Sequence, residues 1–187
     1  LTFTAGLKFP LTNGNIIYSQ QPLPMDYQSS LGTLDLITGV GYHTEAWQFV
    51  IAYQHPLRQN ENKFVSTIYD TQNPLHEFQS TNGYLRKGDI LFRASHPVEL
   101  SERLNIIPGI LPIYHLDDDE YLDSLNTYRI IEGSAGLTIN ATLFFDYKLG
   151  DRSKLGVNLG FPLLVREVRP DGLTRSFVLG VDYSLFF

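Results

Sequence analysis

The sequence predicts an all-β chain, an antiparallel transmembrane β-barrel with about eight strands in its 187 residues. Three observations predict it. The final segment places Phe177, Leu179, Val181, Tyr183, Leu185 and Phe187 on one face and Val178, Gly180, Asp182, Ser184 and Phe186 on the other, because side chains alternate along a strand. The same alternation recurs along most of the chain, and its second face is small and polar, as the lumen of a barrel requires. The connections between the alternating segments are short and long in strict turn.

The first strand, residues 2–9, turns Phe3, Ala5, Leu7 and Phe9 outward and Thr4, Gly6 and Lys8 inward. The second, 33–42, opposes Leu34, Leu36, Val40 and Tyr42 to Asp35, Gly39 and Gly41. The third, 46–55, opposes Trp47, Phe49, Ile51 and Tyr53 to Gln48, Val50, Ala52 and Gln54. In the fourth, 87–96, Ile90, Phe92 and Ala94 face away from Asp89, Leu91, Arg93 and Ser95. The fifth, 102–114, is apolar on both faces and carries Pro108 and Pro112. Proline cannot donate to a ladder, so a bulged or irregular strand is expected there. The sixth, 135–148, sets Leu137, Ile139, Ala141, Leu143, Phe145 and Tyr147 against Thr138, Asn140, Thr142, Phe144, Asp146 and Lys148. The seventh, 154–167, sets Leu155, Val157, Leu159, Phe161, Leu163 and Val165 against Gly156, Asn158, Gly160, Pro162 and Arg166. The eighth is the terminal strand. Several reach the roughly 9–11 residues that cross a bilayer at a barrel tilt. Residues 43–45, 97–101 and 149–153 are the short turns. Residues 10–32, 56–86, 115–134 and 168–175 are the longer connections, the last built on Pro170-Asp171-Gly172. Outer-membrane barrels have short periplasmic turns and long outer loops, and a soluble sandwich gives no reason for that order.

Bulk composition agrees. Apolar content is 43%, ordinary for a soluble protein, but only every second residue of a barrel strand faces lipid. Aromatic content is 13%, and the 11 Tyr suit interfacial girdles. The absence of Cys removes disulfides and thiolate metal sites and fits passage through an oxidising periplasm. A net charge of -6 argues against a nucleic-acid partner. No apolar run approaches the ~20 residues of a membrane helix. No export signal is visible, and Leu1 opens directly inside an alternating segment. The expectation is one barrel domain over 1–187 that lacks N-terminal strands and is part of a larger barrel. A processed product, closing as a small eight-stranded barrel, is the alternative.

Two stretches carry a family resemblance. GLKFPLTNG at 6–14 resembles the Gly-x-Lys-x-Pro-Thr-Gly segment of the outer-membrane transporter, or phenol-degradation meta-pathway, barrels, with Leu11 interrupting the Pro-Thr-Gly. Leu31-Gly32-Thr33-Leu34-Asp35, followed by Gly39 and Gly41, resembles the Gly-Thr-Gly-x-x-Asp strand of the same family, with Leu34 where a second Gly is usual. The Gly-Phe-Pro strand, the Pro-Asp-Gly turn and the Phe terminus fit its C-terminal hairpin. The resemblance implies a bacterial outer-membrane barrel distantly akin to hydrophobic-compound channels, with further strands ahead of the segment seen here. Gly180, Tyr183, Leu185 and Phe187 also resemble the outer-membrane assembly signal, which implies the barrel-insertion machinery as a partner.

Catalytic chemistry is poorly supported, and the chain is not expected to be an enzyme or to need a cofactor. Ser95 and His96 are adjacent and so point to opposite faces of a strand, out of reach as nucleophile and base. His43, His55, His76 and His115 show no metal spacing and read as loop or rim histidines. Asn140-Ala141-Thr142 matches a glycosylation sequon but lies inside a strand. The run Asp117-Asp118-Asp119-Glu120 is either a solvated, self-repelling loop or a collector of divalent cations that bridge lipopolysaccharide. Lys8, Asp35, Gln48, Gln54, Arg93, Asn140, Asp146, Asn158, Arg166 and Asp182 are the candidate lumen-lining residues, joined by Asp89, Arg103, Asn105 and Lys148. In a narrow barrel they would pack as an ion-pair network; in a wide one they would line a water-filled pore. The loop at 57–86, with Phe64, Val65, Ile68, Tyr69, Leu75, Phe78 and Tyr84, would enter the barrel mouth or dock a partner protein.

The expected function is a passive channel or uptake route for small molecules, hydrophobic ones included, in a bacterial outer membrane in contact with lipid and lipopolysaccharide. A non-transporting structural or accessory subunit of an outer-membrane complex is the alternative. The assigned faces predict that Leu159→Arg costs roughly 2–4 kcal/mol near the bilayer midplane while Asn158→Arg is better tolerated. Urea titration of the protein folded into lipid vesicles measures both, and equal penalties would reverse the assignment.

Overall fold

The computed structural model describes residues 1–66, 72–172 and 176–186. Among them the chain is all-β, with a single 3-10 turn at Met25–Tyr27. Its strands are β1 Thr2–Lys8, β2 Ile17–Tyr18, β3 Gln21–Pro22, β4 Leu34–His43, β5 Gln48–Arg58, β6 Asp89–Ser95, β7 Val98–Glu99, β8 Leu104–His115, β9 Glu120–Leu122, β10 Tyr128–Ile130, β11 Gly136–Gly150, β12 Ser153–Leu164 and β13 Val178–Leu185. Eight of them form one antiparallel meander in the order β1-β4-β5-β6-β8-β11-β12-β13, curved into a half-barrel. The short β7 adds to β8, and β2-β3 and β9-β10 are small ribbons within the long connections.

The eight strands of the meander are the eight the alternation predicts. Boundaries move slightly: β12 ends at Leu164, so Arg166 belongs to the following loop and not to the strand. β8 meets the expectation of an irregular strand but carries no bulge. Its register runs unshifted against β11 from Gly136↔His115 to Tyr147↔Leu104. The accommodation lies on the other side, where the ladder to β6 passes from Leu91↔Ile113 to Ala94↔Ile110 and skips Pro112 and Leu111. The missing proline N–H interrupts pairing there without displacing the register. Register shifts do occur in β4–β5 between Leu34 and Asp35, and in β11–β12 at Ile139/Asn140 and Lys148/Gly150.

Since each neighbour on the path is also the next long strand in sequence, the loops alternate in length and all long ones gather at one end. These are 9–33, 59–88, 116–135 and 165–177; the opposite end holds the turns 44–47 and 151–152 and the β7 connection. β1 pairs only with β4 and β13 only with β12 among the described residues, so the sheet has two open edges.

Burial is inverted relative to a soluble sheet. On the convex face Phe3 is 78% exposed, Val181 65% and Leu163 61%. Phe49 and Leu159 are half-buried. The buried apolar residues among those described are Met25, Phe64, Tyr84 and Ile131, and all lie in the long loops. The loops, not the sheet, therefore hold the packed interior, and that interior is mostly polar: Asn60, Asn62, Thr81, Arg86, Asp119, Ser134 and Asp171 are buried with them.

The loops interlock. Asn62 Nδ2 donates to the carbonyls of Gly14 (2.8 Å) and Leu23 (3.1 Å), tying the second loop to the first. The last loop closes on the first at the predicted Pro170-Asp171-Gly172 turn, where Gly172 N donates to the Arg169 carbonyl at 3.1 Å. Gly172 has φ +69°, and a Cβ on it would stand 2.5 Å from the Met25 carbonyl oxygen. Both the left-handed backbone and the close approach demand glycine. Gly172→Ala is expected to loosen this junction at a cost of about 1–3 kcal/mol. Faster proteolytic cleavage within 9–33 and 165–177, with the sheet intact by circular dichroism, would show it.

Candidate functional site

The pleat of the half-barrel sends alternate side chains into its concavity, and the register stacks them in rows. Gln54, Asp89 and His115 stand side by side at the long-loop end of β5, β6 and β8. Ala52, Leu91, Ile113 and Thr138 form the next row. Below lie Leu111 with Asn140 and Pro162, then Ser95, Gly109, Thr142 and Gly160, then Phe144 with Asn158 and Gly180. Most of these residues line an open cavity of about 690 Å³, to which Leu159, Phe161 and Phe177 also contribute and whose upper wall includes Arg86, Asp89, His115, Arg166 and Asp171.

Of the expected inward residues, Lys8, Gln54, Asp89, Asn140, Asn158 and Arg166 line this cavity and the others lie elsewhere. Lys8 and Asp35 form an ion pair, and Gln54 Nε2 donates to Asp35 Oδ2 at 2.6 Å. Asp35 is fully buried, and its second oxygen has no hydrogen-bond partner. Asn140 and Asn158 line the cavity. Arg93 lays its guanidinium carbon 4.6 Å from the centre of the Phe144 ring. Gln48 sits between His43 and Ser95 at the short-turn end. Asp146 pairs with Lys154 at 3.2 Å and stands beside Asn105, while Arg103 and Lys148 line a smaller depression at that end. Asp182 lies over Gly156, its carboxylate filling the space a Cβ would need. Arg166, although outside the strand, faces the cavity from the loop. Of the assembly-signal positions, Tyr183 and Leu185 are exposed on the convex face and Gly180 pairs with Asn158; Phe187 lies outside the described residues, as do Ile68 and Tyr69 of the 57–86 loop.

The sheet's upper rim carries a network that sequence reasoning did not assemble. His115, read as a rim histidine, is buried, and its Nδ1 and Nε2 lie 2.7 Å from Asp89 Oδ1 and 2.8 Å from Asp119 Oδ1. Both ring nitrogens are engaged by carboxylates, which leaves none free to act as a base. Asp119 also accepts from the Tyr84 hydroxyl (2.6 Å) and the Lys87 amide (2.8 Å), and its own amide donates to Ser134 Oγ (2.7 Å). Arg86 Nη2 donates to Asp89 at 2.6 Å and lies 3.9 Å from Asp171, which Arg166 Nη2 reaches at 2.5 Å. Three long loops and two strand ends thus share one charge network.

The acidic run Asp117–Glu120 neither repels itself in solvent as a unit nor converges. Asp119 points into the network, Glu120 pairs with Lys87, and Asp118 accepts from the Ala135 amide at 2.7 Å. The Ala135 amide holds Asp118 below the usual carboxylate range. Ser95 and His96 stay apart as expected. Ser95 is buried on the concave side, and His96 packs at a tilt against Trp47 with centroids 4.8 Å apart. The nearest available signal for this network is position: Asp89 lies near the start of one predicted strand and His115 directly follows the end of the next, at the same end of the sheet.

Compared with known proteins, the chain matches no family model and no curated sequence.

Arg86 and Tyr84 respond oppositely to burial. Burial pulls the Arg86 guanidinium down, but Asp89 and then Asp171 outweigh it and leave the group firmly charged. Burial, reinforced by the Asp119 carboxylate, pushes the Tyr84 phenol well above its ordinary value of 10.0. The folded chain therefore keeps a proton that the unfolded chain releases near pH 10, so this stabilisation is complete below that pH and lost as pH rises through the raised value. Tyr84→Phe is expected to cost about 1.5–3 kcal/mol at neutral pH, the range of a hydrogen bond to a charged group, and to flatten the loss of stability above pH ~10. Urea unfolding as a function of pH reads both effects.

Proposed function

We propose that this chain forms the wall of a β-barrel in a bacterial outer membrane and serves as a passive route for small molecules, hydrophobic ones included. The observation that carries this reading is the inverted burial of the sheet. Its convex face leaves Phe3, Ile51, Leu163, Leu179 and Val181 exposed, while charged and amide side chains turn into the concavity. In water such a face would drive aggregation; in hydrocarbon it is the favourable arrangement. Aromatic placement supports it. Tyr42, Trp47, Tyr147 and Tyr183 are exposed near the short-turn end and Tyr53 and Tyr114 toward the long-loop end, the positions of two interfacial girdles.

On this reading the short turns are periplasmic and the interlocked loops face outward, against lipopolysaccharide. A bilayer core cannot solvate the backbone groups along β1 and β13, so further strands complete a larger barrel. The resemblance of 6–14 and 31–41 to the transporter and meta-pathway barrels agrees with that, and the β13 pattern suits delivery to the barrel-insertion machinery. Cavity chemistry supports small amphipathic cargo, since Leu91, Leu111, Ile113 and Phe144 alternate with Thr138, Asn140, Thr142 and Asn158.

The interlocked loops across the outer end favour one second reading, a non-transporting subunit of an outer-membrane complex. Reconstitution of the full polypeptide into planar bilayers decides between them. Stepwise conductance is expected. A silent insertion, with a partner that co-purifies after mild detergent extraction, would overturn the channel and leave the subunit.

A further inference from the structure

Among the described residues, the wall of the main cavity carries the fixed cations Lys8, Arg86, Arg166 and Arg169 against the carboxylates Asp89 and Asp171. The first three cations are spent. Lys8 meets the buried Asp35, Arg86 meets Asp89, and Arg166 meets Asp171 while its Nη1 donates to the Ser134 carbonyl at 3.0 Å. These contacts occupy both wall carboxylates, and Asp89 holds His115 besides. Arg169 stands apart. It lies in the connection after β12, half-buried on the cavity wall. No carboxylate of the described residues reaches it at ion-pair distance, and it acts on Asp26 only through space. Its guanidinium donates no hydrogen bond among the described residues, and none of its nitrogens is sealed from solvent.

Uncovered apolar surface shares that part of the wall. The ladder between β12 and β13 stops at Gly160↔Val178, although β12 runs on to Leu164. Above that row β12 pairs only with β11 among the described residues. The cavity reaches this step, since Phe161, Pro162, Phe177 and Val178 all line it, with Val165 from the start of the connection that carries Arg169. Val165, Phe177 and Val178 are exposed. A volume of about 690 Å³ falls in the roughly 300–1,000 Å³ range of small-molecule sites. An open, unspent guanidinium and an open aliphatic and aromatic surface therefore face one space.

We propose that this cavity binds a small amphipathic carboxylate, its head on Arg169 and its apolar body against Pro162, Val165, Phe177 and Val178. A guanidinium stays charged and presents its N–H groups as a planar fork that matches a carboxylate bidentately. The remaining wall charges set the sign. An organic cation would meet Arg169 with no carboxylate left to receive it, because Asp89 and Asp171 are already engaged. A neutral molecule would leave the guanidinium without a counter-charge. The site rests on the reading of the concave face as a lumen, and deepens it by giving the cargo a charge and an apolar body.

The test uses the full polypeptide folded in detergent micelles, with cyclohexanecarboxylate as probe and empty micelles as blank. Acetate, cyclohexylmethanol and cyclohexylmethylamine are the controls, which lack the body, lack the charge and reverse it. Titration is followed by calorimetry and by the Arg169 Nε–H nitrogen resonance. Saturable binding of the carboxylate is expected, with each control at least about tenfold weaker. The Arg169 resonance should move, Arg169→Gln should lose at least about tenfold in affinity, and Arg169→Lys should recover part of it. Absence of binding, an amine that binds as well as the carboxylate, an unmoved resonance, or unchanged affinity in a folded Arg169→Gln protein would overturn the site. The resonance needs no variant, so a misfolded Gln protein does not block the test. Conductance of the same preparation separates the two readings: binding in a silent protein keeps the site and removes the channel, and conductance without binding does the reverse.

Discussion

The antiparallel ladder is the interaction on which this structure depends. In most β-proteins two apolar faces packed together hold the sheet, and hydrogen bonds fix its register. Here no apolar layer backs the sheet, because Phe3, Leu163 and Val181 point away from the rest of the molecule. Pairing from β1 to β13 carries the cohesion, and the two-residue period decides which side each residue meets. Gly156 under Asp182 and Gly180 beside Asn158 show the inner face adjusted to the same rule, with small residues placed where large polar neighbours lean across.

A second layer of order lies in the loops. Four connections of different length converge on one end and pack a polar interior in which nearly every charge has an opposite neighbour. Asp89, Asp119 and Asp171 each bridge elements far apart in sequence, reaching His115, Tyr84 and Arg86 respectively. Removing one side of such a network leaves a buried charge exposed to a low-dielectric surrounding, which is why these contacts act as latches more than as additive stabilisers. His115, gripped through both ring nitrogens, joins the rim of the sheet to this assembly.

The sheet was legible in the sequence and the loop assembly was not, for a physical reason. A strand declares itself locally, since Trp47, Phe49, Ile51 and Tyr53 alternate within a few residues. Two strand details lay beyond local pattern. Proline in β8 broke pairing on one side only, which sequence cannot foresee without knowing which neighbour each N–H faces. Arg166 was assigned to a strand that stops at Leu164, an end set by the loop's own contacts with Ser134 and Asp171. The loop contacts have no local signature. Tyr84 meets Asp119, and Asn62 meets Gly14, across separations that leave no periodic trace. Asp119 even carried a misleading one, since its acidic neighbours suggested a solvated run.

Those separations also set an order of assembly. Met25 belongs to the first long loop, and the residue that closes over it, Gly172, belongs to the last. The meander can zip up hairpin by hairpin from near-neighbour contacts, but the long-loop rim cannot lock until the segment ahead of the final strand has arrived. Contacts of such long range form late and slowly. The latches therefore act as a progress mark: a molecule whose rim is sealed has already brought the connection after β12 back onto the first long loop.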